Sequence, residues 1–280
     1  MKQAVLAIDS NLKKLPWYFQ EFLYFGFKQA YACLFGGAFL FMILLTSMFW
    51  HVDWPIARYD FLVFYALAIQ AAFVLLKMET WEEVKVIFIF HVIGTLMEIF
   101  KTHMGSWNYP EPSILRISGV PLFSGFMYSA VGSYIARVWR IFSLKFEYYP
   151  PIYLAVILCV LIYINFFTHH FVCDIRYALF AFTFILFGRT TVYFKQIKDY
   201  FYMPLLLGWF LVALFIWFAE NMGSFGHVWI YPNQRAAWHM VPAEKLGSWF
   251  LLMIISFVLV TLIHKGHDVY RGKIPDKEKT

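Results

Sequence analysis

Eight apolar runs, at about 29–50, 59–77, 84–101, 117–137, 151–168, 174–193, 202–221 and 246–264, set the terms on which this chain folds. Each is close to the roughly 20 residues that a helix needs to cross the hydrocarbon core of a bilayer. In lipid a backbone must satisfy its own N–H and C=O groups, so such runs are expected as helices. Composition agrees: 61% of the residues are hydrophobic and 14% charged, and mean hydropathy is +0.63. A soluble domain carries about 25% charged residues. The expected fold is an all-α polytopic membrane protein with about eight transmembrane helices.

The formal charge of +6 does not point to nucleic acid, because Lys and Arg in such a chain serve topology. With eight spans, 17 of the 23 Lys and Arg fall to the side that holds both termini. Both termini are therefore expected in the cytoplasm, and the connections 102–116 and 222–245 outside. Cys33, Cys159 and Cys173 are far apart and give neither a disulfide framework nor metal-type spacing. The first residues hold no cleavable signal, and PWYFQEFLYFGF, aromatic and amphiphilic, is expected at the membrane surface.

Two stretches repeat. EIFKTHMGSWNYP (Glu98 to Pro110) and ENMGSFGHVWIYP (Glu220 to Pro232) share Glu, Trp, Tyr and Pro at matching positions. FWHVDWPIARY (Phe49 to Tyr59) and FTHHFVCDIRY (Phe167 to Tyr177) share Phe, His, Arg and Tyr, and Val-Pro recurs at 120–121 and 241–242. The chain therefore divides into an interfacial segment (1–28), two four-span repeats (29–141 and 142–264) and a basic cytoplasmic tail (265–280). An even number of spans per copy makes the repeats parallel, related by an axis along the membrane normal.

Each copy supplies a histidine (His51, His169), an arginine opening its second span (Arg58, Arg176), a glutamate near the end of its third (Glu98, Glu220), and then a Trp and a Tyr (Trp107 and Tyr109, Trp229 and Tyr231). An ionisable residue within a span usually faces the protein interior or a wet cavity. The plainer reading pairs Glu98 with Arg58 and Glu220 with Arg176, pinning helices. The functional reading gathers the glutamates and aromatics at one outward-side cavity, with Glu98, Glu220, Glu244, His51 and His169 as the catalytic candidates and both arginines, the Trp and Tyr pairs, His103 and His227 as substrate-binding groups. Glu244 is expected beside Glu220, where like charge would raise a carboxyl pKa and make Glu220 the working acid. His91 reads as a core histidine, and Glu79, Glu82 and Glu83 as a solvated helix start. No metal is expected, since no HxxxH or HxxHH box is present, and no cofactor, since no phosphate loop, dinucleotide fingerprint or nucleophile elbow appears.

Taken whole, the chain resembles an uncharacterised bacterial integral membrane family, domain of unknown function 817. The likeness is strongest in FHVIGTLMEIFKTHMGSWNYP, GVPLFSGFMYSAVGSYI, YINFFTHHFVCDIRY and FIWFAENMGSFGHVWIYPNQ. It implies a multi-pass protein of the bacterial inner membrane and carries no activity with it. More distantly, Glu98, Trp107, Tyr109 and Gly119-Val120-Pro121-Leu122 resemble the acid, W-x-Y and Pro-bearing element of membrane lycopene cyclases and carotenoid hydratases. The cyclase acid pair is replaced here by Phe123 and Ser124. That resemblance implies an enzyme acting on a prenyl or carotenoid-like substrate by carboxylic-acid acid/base chemistry, with membrane lipid and a lipid-soluble small molecule as partners. The competing expectation is a small-solute transporter with a pathway between the repeats. A polar track reaching the cytoplasmic side favours transport, and a closed floor favours an enzyme.

Overall fold

The computed structural model describes residues 15–51, 53–197, 199–263 and 269–274. Among them the chain is predominantly helical: α1 (Trp17–Ala32), α2 (Leu34–Phe49), α3 (Arg58–Leu75), α4 (Trp81–His103), α5 (Phe123–Ile141), α6 (Ile152–Thr168), α7 (Arg176–Phe187), α8 (Leu205–Phe225) and α9 (Glu244–Ile263). Each apolar run holds one of the helices α2 to α9. Residues 1–14, His264 and His267 lie outside the described residues.

Among the described residues three helices, α3, α8 and α9, are long and apolar enough to cross a membrane. The pair α1 and α2, bent by 64° at Cys33, makes a fourth if it is one span. The other runs fall short for separate reasons. Helix α7 has 12 residues, about 18 Å at 1.5 Å per residue, because the chain leaves the helix at Phe187 and enters a strand. Helix α5 is long enough but polar; it buries Ser124, Ser129, Ser133 and Arg137 against protein rather than presenting them to lipid. Helix α4 opens on Glu82 and Glu83.

Strands form where continuous helix was expected. Residues β1 (Arg116–Ile117) and β2 (Val120–Pro121) pair as a small antiparallel ribbon. A three-stranded antiparallel sheet, β3 (Lys145–Glu147), β4 (Thr191–Lys195) and β5 (Tyr200–Pro204), joins the ends of α5, α7 and α8. Phe146 also bridges to Val269, and the Ile274 N–H donates to Glu147 Oε1 at 3.0 Å. Residues 269–274 are therefore packed on the sheet, and Ile274 is buried. Of the expected tail, 265–280, only these six residues are described, and they dock on the sheet.

The apolar interior has two parts. One, around Trp139, Phe146, Phe187, Trp209 and Phe257, lies against the three-stranded sheet. The other, around Phe39, Tyr59, Phe123, Trp229 and Val241, lies beneath the two long connections. Between them α4 and α5 pack tightly because glycine lets an aromatic ring close in: a Cβ on Gly94 would meet the Tyr128 ring at 2.5 Å.

Glu79 and Glu83 are not a solvated helix start. Glu79 and Arg137 form an ion pair with no exposure of either side chain, and Gln70 and Ser133 also donate to Glu79. Glu83 closes a capping box with Thr80 and accepts from Arg140 Nε at 2.9 Å. Only Glu82 of the three is exposed. The apolar setting of α5 forces this outcome, since a buried guanidinium requires a buried counter-charge.

Candidate functional site

The two long connections meet across the structure. Trp107-Asn108-Tyr109 and Trp229-Ile230-Tyr231 run antiparallel, and their middle residues form a β-bridge. This holds each W-x-Y over the glutamate of its own half. Asp60, at the start of α3, fixes the first connection by accepting from the Ile114 and Leu115 N–H groups at 2.8–3.1 Å.

Glu98, buried on α4, accepts three hydrogen bonds: from Trp107 Nε1 at 2.7 Å, the Tyr109 hydroxyl at 2.7 Å and the Tyr128 hydroxyl at 2.8 Å. Glu220, buried on α8, accepts from the Tyr231 hydroxyl and from Trp249 Nε1 at 2.6 Å. Burial and the adjacent carboxylates push the Tyr109 and Tyr231 phenols well above their ordinary value of 10.0, so both stay protonated and donate. Trp229 does not donate to Glu220; its ring lies on Gly223, where a Cβ would meet it at 2.1 Å. Trp249 takes the donor role instead. Lys245 lies over the Trp107 and Tyr231 rings, 4.6 and 4.7 Å from their centroids, with its charge within reach of both glutamates.

A cavity of about 790 Å³ opens beneath this cluster. Glu98, Trp107, Tyr109, Glu220, Trp229 and Tyr231 all line it, together with Tyr128 and Trp249. From there it runs to Phe142, Phe146 and Phe194 at the three-stranded sheet. Among the described residues Glu98 and Glu220 are its only Asp, Glu, Lys, Arg or His lining groups. Lower down the polar side chains are few, chiefly Gln29, Cys33 and Tyr134.

The remaining candidates fall elsewhere. Arg58 pairs with Glu111, not Glu98, and also donates to Thr46 Oγ1 at 3.2 Å. Arg176 pairs with Asp174 at 2.7 Å, not Glu220. The expected inter-helix pairs fail because each arginine opens its helix beside a nearer acid, while tyrosine and tryptophan already occupy the glutamates. Glu244 is exposed at the start of α9 and is not among the cavity residues; the charge that reaches Glu220 is the opposite one, Lys245. His51, His103 and His227 are exposed and outside the cavity. His169 and His170 stack with centroids 4.1 Å apart beside Lys101. Among the described residues no three His, Cys, Asp or Glu side chains come together as a metal site.

Tyr128, Lys245 and Trp249 are the site residues that sequence reasoning missed. A signal for two of them exists: Tyr128 stands seven positions after Pro121, and Trp249 seven after Pro242. Each thus follows a Val-Pro by seven residues and donates to the glutamate of the preceding helix.

The family described as protein of unknown function DUF817 matches residues 21–257. The chain belongs to that family. The uncharacterized protein YoaT of Bacillus subtilis (strain 168) is 41% identical over 242 residues, which cover 86% of this chain and 90% of that protein. No solved structure matches significantly. The family match takes in both W-x-Y segments, both glutamates and every missed donor.

Proposed function

We propose that this protein is a multi-pass enzyme of the bacterial inner membrane that takes a lipid-dissolved, prenyl- or carotenoid-like substrate into the cavity and transforms it by acid/base chemistry. The observation that carries this reading is the cavity itself: two buried carboxylates at one end of an otherwise apolar and aromatic chamber. A floor of Phe142, Phe146 and Phe194 suits a hydrocarbon chain and gives an ion nothing to hold. The two halves, 29–141 and 142–264, are read as parallel four-helix repeats with eight helices embedded in the bilayer and both termini cytoplasmic.

Glu220 is the working acid. A carboxylate offers about four lone-pair directions; Glu98 has three donors and Glu220 two, so Glu220 has more freedom to present a proton. Glu220 passes a proton to a substrate double bond, leaving a carbocation beside the faces of the surrounding aromatic rings. The Glu98 carboxylate takes a proton from an adjacent carbon, and the double bond re-forms one position away. Atoms and charge balance without a redox cofactor, and proton exchange between the carboxylates resets the pair.

A transporter with a pathway between the halves is the alternative, favoured by the fact that both halves line the cavity. Unbiased lipid and pigment profiles of cells with the protein, without it, and with Glu220→Gln separate the two. On the enzymatic reading, deletion and Glu220→Gln accumulate the same lipid-soluble species. Full restoration of the profile by Glu220→Gln would overturn it.

A further inference from the structure

Lys101 is a buried cation that has no carboxylate ion-pair partner among the described residues. Its Nζ lies 2.9 Å from His170 Nε2 and 3.3 Å from His169 Nε2, and 4.3 Å from the Phe166 ring centroid. His169 Nδ1 lies 2.9 Å from the Asn165 carbonyl; the carbonyl can only accept, so Nδ1 carries the proton and Nε2 presents a lone pair to the ammonium. Two imidazoles occupy two of three ammonium N–H groups, and the third has no hydrogen-bond partner among the described residues. The nearest acid, Asp174, is taken by Arg176 and Asn165.

The charges of Lys245 and Arg176 also bear on Lys101. Lys101, with two titratable imidazoles beside it, is the member left without a counter-charge among the described residues, since Asp174 is paired with Arg176 and Lys245 lies within reach of Glu98 and Glu220. Burying such a group without a counter-ion is costly, and an oxyanion with several acceptor oxygens is the chemistry that offsets it. Lys245 lies over Trp107 and Tyr231, which are walls of the cavity. Lys245 thus bears both on the wall at the glutamate end of the chamber and on Lys101.

We propose that Lys101, His169 and His170, with Lys245 and Arg176 behind them, form a phosphate-binding site that takes the phosphate monoester head of an amphiphile whose hydrocarbon chain lies in the cavity. This rests on the reading of the cavity as a lipid chamber, but the two fail separately. The substrate class becomes a long-chain alkyl or prenyl phosphate. Lys101 supplies its free N–H, and a protonated His170 becomes a second donor once the anion arrives.

The test is calorimetry on the full chain in an uncharged maltoside detergent, with dodecyl phosphate, dodecanol and inorganic phosphate as probes. Dodecyl phosphate is expected to bind wild type at least about tenfold more tightly than Lys101→Met, the scale of one charge-assisted hydrogen bond. Dodecanol is expected to bind both alike. Inorganic phosphate binding with the same Lys101 dependence, and without benefit from the alkyl chain, would keep the site and assign it to free phosphate. Dodecyl phosphate that binds wild type and Lys101→Met equally, or neither, overturns the proposal. Failure of dodecanol alone strikes the lipid chamber and leaves the phosphate site standing. Should Lys101→Met fail to fold, the double variant His169→Gln, His170→Gln is expected to weaken dodecyl phosphate several-fold at about pH 6, where imidazole begins to protonate, and equal binding there has the same overturning force.

Discussion

Asn108 and Ile230 exchange both backbone hydrogen bonds, Asn108 N–H to the Ile230 carbonyl at 3.0 Å and Ile230 N–H to the Asn108 carbonyl at 2.9 Å. They are the middle residues of the two W-x-Y segments. The bridge joins matching positions of the two segments, and on either side of it Tyr109 donates to Glu98 and Tyr231 to Glu220. Such a hydrogen-bonded pair has Cα atoms about 5.5 Å apart, inside the range that a disulfide spans. The double variant Asn108→Cys, Ile230→Cys, with Cys33, Cys159 and Cys173 replaced by Ser, is expected to cross-link on mild oxidation. Mass spectrometry of the peptides checks it; recovery of both thiols free would contradict the bridge.

Glu98→Gln is expected to lower stability without disturbing Arg58. Three donors converge on the two carboxylate oxygens, and an amide nitrogen accepts none of them. An unsatisfied buried donor costs about 1–3 kcal/mol. Arg58 keeps Glu111, so no buried guanidinium is stranded. Thermal unfolding in detergent of Glu98→Gln, Glu111→Gln and the double variant tests this: losses that add mean independent sites, whereas strong coupling would restore a Glu98–Arg58 link.

Glu79→Gln carries a larger cost. Its partner Arg137 has no exposed surface, and removing one member of a buried pair typically costs about 3–5 kcal/mol. The exposed neighbour Glu82 is the control, and Glu82→Gln should leave the melting temperature nearly unchanged. Similar melting of both variants would mean that Glu79 is solvated after all.

How much of this was legible follows the physics of each signal. Apolar runs locate helices because burial of side chains is written one residue at a time, and each run contains its helix. The doubled Glu, Trp and Tyr were legible because the repeat marks them, and all six line the cavity. The ends were not. Helix α7 stops at Phe187 because Thr191–Lys195 finds strand partners in Lys145–Glu147 and Tyr200–Pro204, and pairing across such separations leaves no periodic mark. Ion pairs were illegible for a similar reason. Arg58 chooses Glu111 over Glu98 by the path of an irregular connection, and Glu244 and Lys245, adjacent in sequence, exchange expected roles through a rotation of one residue on α9. The distant cyclase-like pattern finds no support among the comparisons with known proteins.

Orientation is tested by labelling. Asn108 and Asn233 are exposed and lie on the connections that the Lys and Arg bias places outside. Single cysteines there, in a background lacking the three native ones, are expected to react with an impermeant maleimide on intact cells. A cysteine at exposed Lys77, on the α3–α4 turn, is expected to react only after lysis. The reverse pattern would invert the topology and place the cavity mouth on the cytoplasmic side.

The histidine pair makes stability depend on pH in a defined direction. Burial, then the Lys101 charge, holds His170 below its ordinary value of 6.5, with His169 and Lys245 acting the same way. The folded state therefore binds fewer protons than the unfolded chain once pH falls to that value. Stability rises with pH wherever the unfolded state holds more protons, so the contribution of His170 is complete above about pH 6.5 and is lost as pH drops through it toward the folded value. Protonation also removes the Nε2 lone pair that accepts from Lys101 at 2.9 Å. The melting temperature of wild type should fall between about pH 7 and 5, and His170→Gln, which cannot titrate, should fall less steeply. Saturating dodecyl phosphate should flatten the wild-type slope, because a bound anion favours the protonated ring. Parallel slopes in wild type and His170→Gln would remove His170 from the cluster’s electrostatics and leave Lys101 with His169 alone.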